Sequence, residues 1–410
     1  MSLHKITTKL YETESYLKEL KTKITECSRE GDLVYIKLQE TIFFPEEGGQ
    51  YSDTGEIISI DDGSPQENRP PIHILKGELL GSPTEGETDI RYLVDGELEE
   101  GTEVLLKLDW QKRFSRMQNH SGEHILSGLI HAKYGLDNVG FHLSDDEPVT
   151  LAFNGILSEE QAAMIESMAN EVIYENLPIT DSYPSKEELE SLSYRSKLNI
   201  KAQVRIITVG EKDRIIDVCA CCAPHVSKTG AIGLIKIISA IKFKGGTQLS
   251  ILCGKRAYEY INRNLEALNK TCRIFSTNSS DLPQIAGKLK EERDLLNARI
   301  AALTEELIIN DVKAGVYENL VFTDMELTAV NMKNIYNALT ELKDGWCGIF
   351  AGNDEKGYRY YAGGKSLDAR LLAQEMKNRL DAKGGGSAEM IQGKTSATKD
   401  RLENFFRELR

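Results

Sequence analysis

The sequence runs to 410 residues, 40% hydrophobic and 28% charged, with a formal net charge of −14 at pH 7. That length exceeds one ordinary core, so roughly two to four globular domains are expected. The acidic balance argues against indiscriminate nucleic-acid binding, no run of eighteen apolar residues is present to span a membrane, and the charged start MSLHKITTKLYETESYLKEL lacks an apolar signal core, so a cytoplasmic location is expected.

Residues 4 to about 95 read as β structure: TKLYET, SYLKELKTKITECS, GDLVYIKLQETIFF and TGEIISI are short alternating runs broken by Gly, Asp and Pro. A small barrel or curled sheet follows from that pattern. Within it lies TIFFPEEGGQYSDTGEI, where Gly48 and Gly49 let backbone approach a ligand or a neighbouring domain closely. Ser64 to Glu87, rich in Pro, Gly and Glu, reads as an insertion or loop tip.

From Asp109 the period changes. Phe114, Met117, Ile125, Leu126, Leu129 and Ile130 fall at helical intervals, so MQNHSGEHIL lies on a packed helix. Four residues apart on it, His120 and His124 stack on one face, where both imidazoles can reach one metal ion. NVGFHLSDDEPVTLAF predicts a hairpin turning at Asp145–Pro148, and SEEQAAMIESMANEVIYENLP a helix capped by Ser158. KAQVRIITVGEKDRIID and AIGLIKIISAIKFKGGTQLSILCG are strands flanking a turn that carries Cys221 and His225. The four side chains make a His/His/Cys/His set of borderline-soft donors that suits zinc better than calcium or magnesium. Seven cysteines, three of them crowded at 219, 221 and 222, fit a reducing compartment and a metal better than a disulfide framework, and Cys219 or Cys222 could replace Cys221.

Residues 256–312 read as helical. Ile285, Leu289, Leu296, Ile300, Leu303 and Leu307 recur at three-, four- and seven-residue intervals, as in a helical hairpin or dimer seam, and Pro283 suits a helix start. The last hundred residues alternate strand and helix and include KGGGSAEMIQGK, where Gly384, Gly385 and Gly386 offer backbone N–H groups to an anion beside Lys383 and Lys394. From Lys365 to Arg410 there are ten Lys/Arg against seven Asp/Glu, so this end is locally basic.

HSGEH followed a hundred residues later by CCAPHVSKTGAIGLIKI resembles the editing domain of alanyl-tRNA synthetases and the free-standing AlaX-type editing proteins. TIFFPEEGGQ and KGGGSAEMIQGK extend the resemblance over nearly the whole chain, the latter being similar to the C-terminal domain shared with DHH phosphoesterases. It implies an α+β multidomain protein: a small β-barrel with the Gly-Gly-Gln loop (1–100), a zinc-binding editing domain (101–255), a helical or coiled-coil linker (256–312) and a Gly-rich α/β domain (313–410). It further implies zinc on His120, His124, Cys221 and His225, Cys221 being the thiol at the family spacing. Gly48, Gly49 and Gln50 should face that metal and bind the substrate or tRNA, and Lys383 and Gly384 to Gly386 should likewise contact tRNA.

The implied reaction is hydrolysis of the ester joining a wrong amino acid to tRNA. An alanine pocket rejects serine by only about a hundredfold, whereas a second site that bonds the hydroxyl can discriminate by roughly 10⁴–10⁵. Mischarged tRNA for alanine is therefore the expected partner, seryl-tRNA first and glycyl-tRNA second. Glu123, which departs from the Thr often found there in alanyl-tRNA synthetases and does not form the HExxH order, is a candidate catalytic group, as is His142 on the hairpin. The chain opens directly on the β segment and contains no Asp-His-His, so neither an aminoacyl-tRNA ligase nor a DHH phosphoesterase is expected. A homodimer is expected, with no membrane or DNA partner; the competing reading is a non-catalytic tRNA binder with a structural zinc.

Overall fold

The computed structural model describes residues 6–61, 64–65, 70–82, 86–196 and 203–409. These divide into two compact units, Met1–Ala267 and Leu268–Arg410. The chain is an α+β multidomain protein.

Six antiparallel strands, Glu19–Glu30, Leu33–Leu38, Gly55–Asp61, Ile72–Leu80, Asp89–Val94 and Glu103–Leu108, close into a barrel. Closure comes from Gly55–Asp61 pairing with Glu103–Leu108 as well as with Ile72–Leu80, which removes the sheet edges. Alternate side chains fill it: Ile90, Tyr92 and Val94 point inward from one strand, and Val104, Leu106 and Leu108 from another. The Ser64–Glu87 segment is thus no mere insertion, because Ile72–Leu80 is a barrel strand. Only Ile74 and Gly77 are buried along it, and Leu75 is half exposed. The strand is held by ladder bonds on both sides rather than by an apolar pattern a sequence reader can see. Residues 4–5, residues 66–69 and 83–85 of that segment, and residues 201–202 of the expected strand KAQVRIITVGEKDRIID lie outside the described residues.

After the barrel comes helix α1 (Trp110–Tyr134), capped by the Asp109 side chain on Lys112 N–H and stopped by Gly135 in the left-handed conformation. Met117, Ile125, Leu126, Leu129 and Ile130 are buried as the period requires, while Phe114 stacks on Trp110 at the helix margin. Two glycines break the run of good helix formers, at a cost of about 1 kcal/mol each. Their placement explains them. A Cβ on Gly128 would lie 2.3 Å from Ile216 O, and one on Gly122 would lie 2.4 Å from Cys253 Sγ. α1 therefore packs with its backbone directly against the strand Arg214–Ala220, which leads into Cys221.

The expected hairpin is Asn138–His142 with Val149–Phe153, extended by Gly246–Cys253 and Ile235–Phe243 into one four-stranded sheet. Helix α2 (Glu159–Glu175) opens on a capping box of Ser158 and Gln161. A short helix α3 (Lys186–Ser191) separates Ile179–Ser182 from its partners Ile206–Glu211 and Arg214–Ala220 in a three-stranded sheet. Helix α4 (Gly254–Ile274) follows the last strand of the first unit.

The second unit begins at Leu268 within α4 and continues into the long helix α5 (Leu282–Lys313), with Pro283 in its first turn. Ala301, Ile308 and Val312 on α5 pack in one core with Met332, Ile335 and Leu339 of α6 (Ala329–Leu342). Leu289, Leu296, Ile300, Leu303 and Leu307 lie on another stripe and are exposed. The five-stranded sheet runs in the order Leu320–Thr323, Trp346–Asn353, Gly357–Gly364, Met390–Thr395, Lys383–Gly386. Helices α7 (Ala369–Leu380) and α8 (Lys399–Glu408) contribute to a second core with Phe350, Tyr358 and Tyr360. Among the described residues no helix is long and apolar enough to cross a membrane.

Candidate metal centre

One stripe of α1 carries Arg113, Arg116, His120, Glu123, His124 and Ser127, all buried. Its N-terminal third fixes a loop. Arg113 pairs with Asp53 and also donates to Ile42 O, and Arg116 donates to Ser52 O at 2.6 Å and bridges Asp145. Asp53 in turn accepts from Phe44 N–H at 2.7 Å. The loop from Ile42 to Asp53 is thereby clamped along α1, and its tip turns at Gly48 and Gly49 with φ of 61° and 85°. Gly49 is needed twice over, since a Cβ there would sit 2.5 Å from Phe141 O. The residue this delivers is Gln50, fully buried, whose Oε1 lies 2.8 Å from His120 Nδ1.

Each histidine is held in the same way. His124 Nδ1 lies 2.9 Å from Asp217 Oδ2, and His225 Nδ1 lies 3.0 Å from Ser121 Oγ. With the protons placed on Nδ1 by these acceptors, all three Nε2 lone pairs are available to one centre. His120 Nε2 and His225 Nε2 lie 3.6 and 3.3 Å from Cys221 Sγ. Donor atoms of His120, His124, Cys221 and His225 all fall within 4.8 Å of one another, in a group that could hold a metal ion. Arg205 fixes the turn carrying the last two, donating to Ala223 O at 2.9 Å and to Cys221 O at 3.3 Å.

The electrostatics favour a cation. Burial alone would raise the Cys221 thiol, but the positive charge of His120 and hydrogen bonds from His120 and His124 pull it well below its ordinary range, toward thiolate. Burial pushes His225 down to about 3, leaving a neutral imidazole. Burial acts the same way on His124, yet the Glu123 charge, Cys219 and Asp217 outweigh it and draw positive charge to that ring. Asp217 is itself held below the usual carboxylate range against burial, by His124 and by Arg195, whose Nε and Nη2 each donate to it at 2.7 Å. Three neutralisable imidazoles, each backed by a buried hydrogen-bond partner, and a thiolate are a donor set that fits zinc.

Of the three neighbouring thiols, Cys221 is the one grouped with all three histidines. Cys219 falls in an overlapping group with His124 and Asp217, but Asp217 is already committed to Arg195, and burial raises the Cys219 thiol to about 11.

The centre opens into a cavity of about 230 Å³ lined by Gly48, His120, Glu123, His124, Phe141 and Cys221 among others. Glu123 is 3% exposed, its Oε1 accepting from Ser127 Oγ at 2.7 Å and Asn138 Nδ2 at 2.6 Å, its Oε2 3.7 Å from His124 Nε2. His142 is placed differently. The strand alternates, so Phe141 turns inward, its ring 4.8 Å from that of His120, and His142 is exposed against Tyr51, outside the cavity lining. Lys383 to Gly386 lie in the second unit as an exposed edge strand, not as a loop of converging N–H groups. Lys383 stands opposite Lys394, and Lys394 opposite Arg359, so three cations form a row across the sheet.

The model of the threonyl and alanyl tRNA synthetase second additional domain matches residues 204–249, which include Cys221 and His225. Alanyl-tRNA editing protein AlaX-L of Pyrococcus horikoshii is 28% identical, the match covering 96% of each chain. Alanyl-tRNA editing protein Aarsd1-A of Xenopus laevis is 24% identical over 90% of this chain and 86% of its own. An alanine--tRNA ligase of Caldivirga maquilingensis is 27% identical over 94% of this chain, which spans only 42% of the ligase. Residues 204–249, which carry two of the four grouped donors, are thus similar to that additional domain. Along its length the chain is related to the AlaX-type alanyl-tRNA editing proteins.

Proposed function

We propose that the protein is a trans-editing hydrolase that deacylates mischarged tRNA for alanine, seryl-tRNA first and glycyl-tRNA second, at a zinc-containing site. One observation carries the reading: of the four grouped donors, His120, His124 and Cys221 line a cavity into which Glu123 also faces. His120, His124, Cys221 and His225 would hold zinc, which when bound supplies Lewis-acid polarisation or orientation of an ester carbonyl. Glu123 takes a proton from the attacking water as its oxygen bonds to the ester carbon. The bond to the ribose oxygen then breaks, and Glu123 returns the proton to that oxygen, releasing amino acid and uncharged tRNA. Phe141 and Gly48 at the loop tip close the cavity around the aminoacyl end.

We assign residues 1–100 to the barrel with its loop, 101–255 to the editing domain, 256–312 to a helical linker whose exposed leucines seal a homodimer, and 313–410 to tRNA contact through Lys383 and Gly384 to Gly386, in a cytoplasmic protein. The four-donor set also favours a second reading, because four protein ligands complete a tetrahedral zinc and make it structural. The protein would then bind tRNA without turnover. Purified protein incubated with seryl-tRNA and alanyl-tRNA for alanine separates the two. Release of serine with alanine spared supports the hydrolase, and retention of both tRNAs with no release supports the binder.

A further inference from the structure

Asn138 opens the strand Asn138–His142 at a register irregularity between Asn138 and Gly140. It is 6% exposed and its amide is committed at both ends. Oδ1 accepts from Gly140 N–H at 3.0 Å, while Nδ2 donates to Glu123 Oε1 at 2.6 Å and to Ser127 Oγ at 3.0 Å. That division settles which way the amide points, because a backbone N–H needs an acceptor and a carboxylate needs a donor. Ser127 stands one turn beyond Glu123 on α1 and donates its hydroxyl to the same Oε1 at 2.7 Å.

One oxygen of Glu123 is therefore gripped by two donors from two different elements, the helix and the hairpin. The other, Oε2, is 3.7 Å from His124 Nε2, the nitrogen turned to the centre. The irregularity in the strand requires only the bond from Gly140 to Oδ1. The two bonds from Nδ2 do something else: they remove the rotamer freedom of a long side chain before substrate arrives.

We propose that Asn138 is a positioning residue of the deacylation, which together with Ser127 holds Glu123 by Oε1 and presents Oε2 to the cavity beside His124. The inference rests on the reading of Glu123 as the group that takes the proton. It acts through Glu123, so its signature is a loss that disappears when the carboxylate is already gone.

The test is a pair of double-mutant cycles on the full-length protein, Asn138→Ala and Ser127→Ala, each alone and combined with Glu123→Gln. Each single change lowers kcat on seryl-tRNA by about 10- to 100-fold, with KM within about twofold and zinc content unchanged. Combined with Glu123→Gln, neither lowers the rate further. Ser127→Ala leaves the Gly140 contact intact, so the comparison stands even where Asn138→Ala fails to fold. Losses that multiply in the Glu123→Gln background, an effect confined to KM, or loss of zinc would each overturn the proposal. Wild-type rates in both single variants beside an impaired Glu123→Gln overturn it too, and leave the proposed function standing. A fully active, zinc-replete Glu123→Gln removes both the proposal and the proton-transfer role of Glu123, while the hydrolase reading itself stands.

Discussion

Asp53→Asn is the most severe test of how the loop is held to α1. Asp53 is 1% exposed and Arg113 is 0% exposed, and Arg113 reaches one carboxylate oxygen with both Nε and Nη2 while Arg116 Nη1 lies 3.7 Å from the other. Asparagine keeps the shape and removes the charge, leaving a buried guanidinium with backbone acceptors at Ile42 O and Ser15 O but no counter-ion. Breaking a buried pair from one side costs about 3–5 kcal/mol, mostly through the charge left behind. That corresponds to a factor of roughly 10²–10³ or more in the opening equilibrium of this segment. Hydrogen exchange at the Phe44 and Asp53 amides reads it locally, since Phe44 N–H donates to the Asp53 side chain and Asp53 N–H to Phe44 O. Replacing both partners, Asp53→Leu with Arg113→Met, restores much of the loss because no lone charge remains. Because the loop delivers Gln50 to His120, zinc affinity in Asp53→Asn falls about 10- to 100-fold alongside. Exchange protection and zinc affinity both at wild-type values in Asp53→Asn would refute the argument that this pair anchors the loop.

Glu123→Gln lowers seryl-tRNA hydrolysis by roughly 10²–10⁴ while zinc content and tRNA affinity hold; a parallel drop in zinc affinity instead assigns Glu123 to ligand orientation. Lys383→Ala with Lys394→Ala weakens tRNA binding and reduces the slope of log affinity against log salt by about 2, and an unchanged slope leaves dimerisation as the role of the second unit. Asp89 gives a pH prediction. Burial opposes its ionisation, but N–H bonds from Thr7 and Ile90 and the Lys37 ammonium hold its carboxyl below the ordinary value. A carboxyl lower in the folded than in the unfolded state stabilises above its unfolded value of about 4, and the contribution is lost as pH falls through the folded value. Asp89→Asn therefore lowers the thermal midpoint at pH 7 and differs little from wild type at pH 2; an equal difference at both pH values contradicts this.

The elements with strong periodicity were legible in the sequence. α1 announced itself through Met117, Ile125, Leu126 and Leu129, and α2 through its Ser158 cap. The four candidate donors could be grouped because two of the motifs are local, four residues apart each. Their supports could not. Gln50, Asp217 and Asn138 meet His120, His124 and Glu123 only after the loop, strand and hairpin have closed on α1; the family resemblance turned Gln50 toward the metal without naming its partner, and nothing in the local sequence of the three marks a buried hydrogen-bond partner. A signal for one of them was present: Arg113 and Arg116 sit on the same helix stripe as His120, an odd place for two arginines unless buried acceptors await them. His142 shows the limit of naming a residue before its strand parity is known, since one step along the strand exchanges it with Phe141. The triple glycine was chemically suggestive, but as an extended edge strand it offers a bare, side-chain-free backbone beside a row of cations rather than a cradle. The α5 leucines are regular in sequence, and that regularity does not tell which of two stripes the unit keeps for itself.

The most direct measurement is zinc content and seryl-tRNA deacylation on the same preparations of the wild-type protein and of His225→Ala. The site described predicts about one zinc per chain and serine release in the wild type, with both lost in the variant. Full zinc in His225→Ala, or undiminished deacylation by protein stripped of metal, would contradict it.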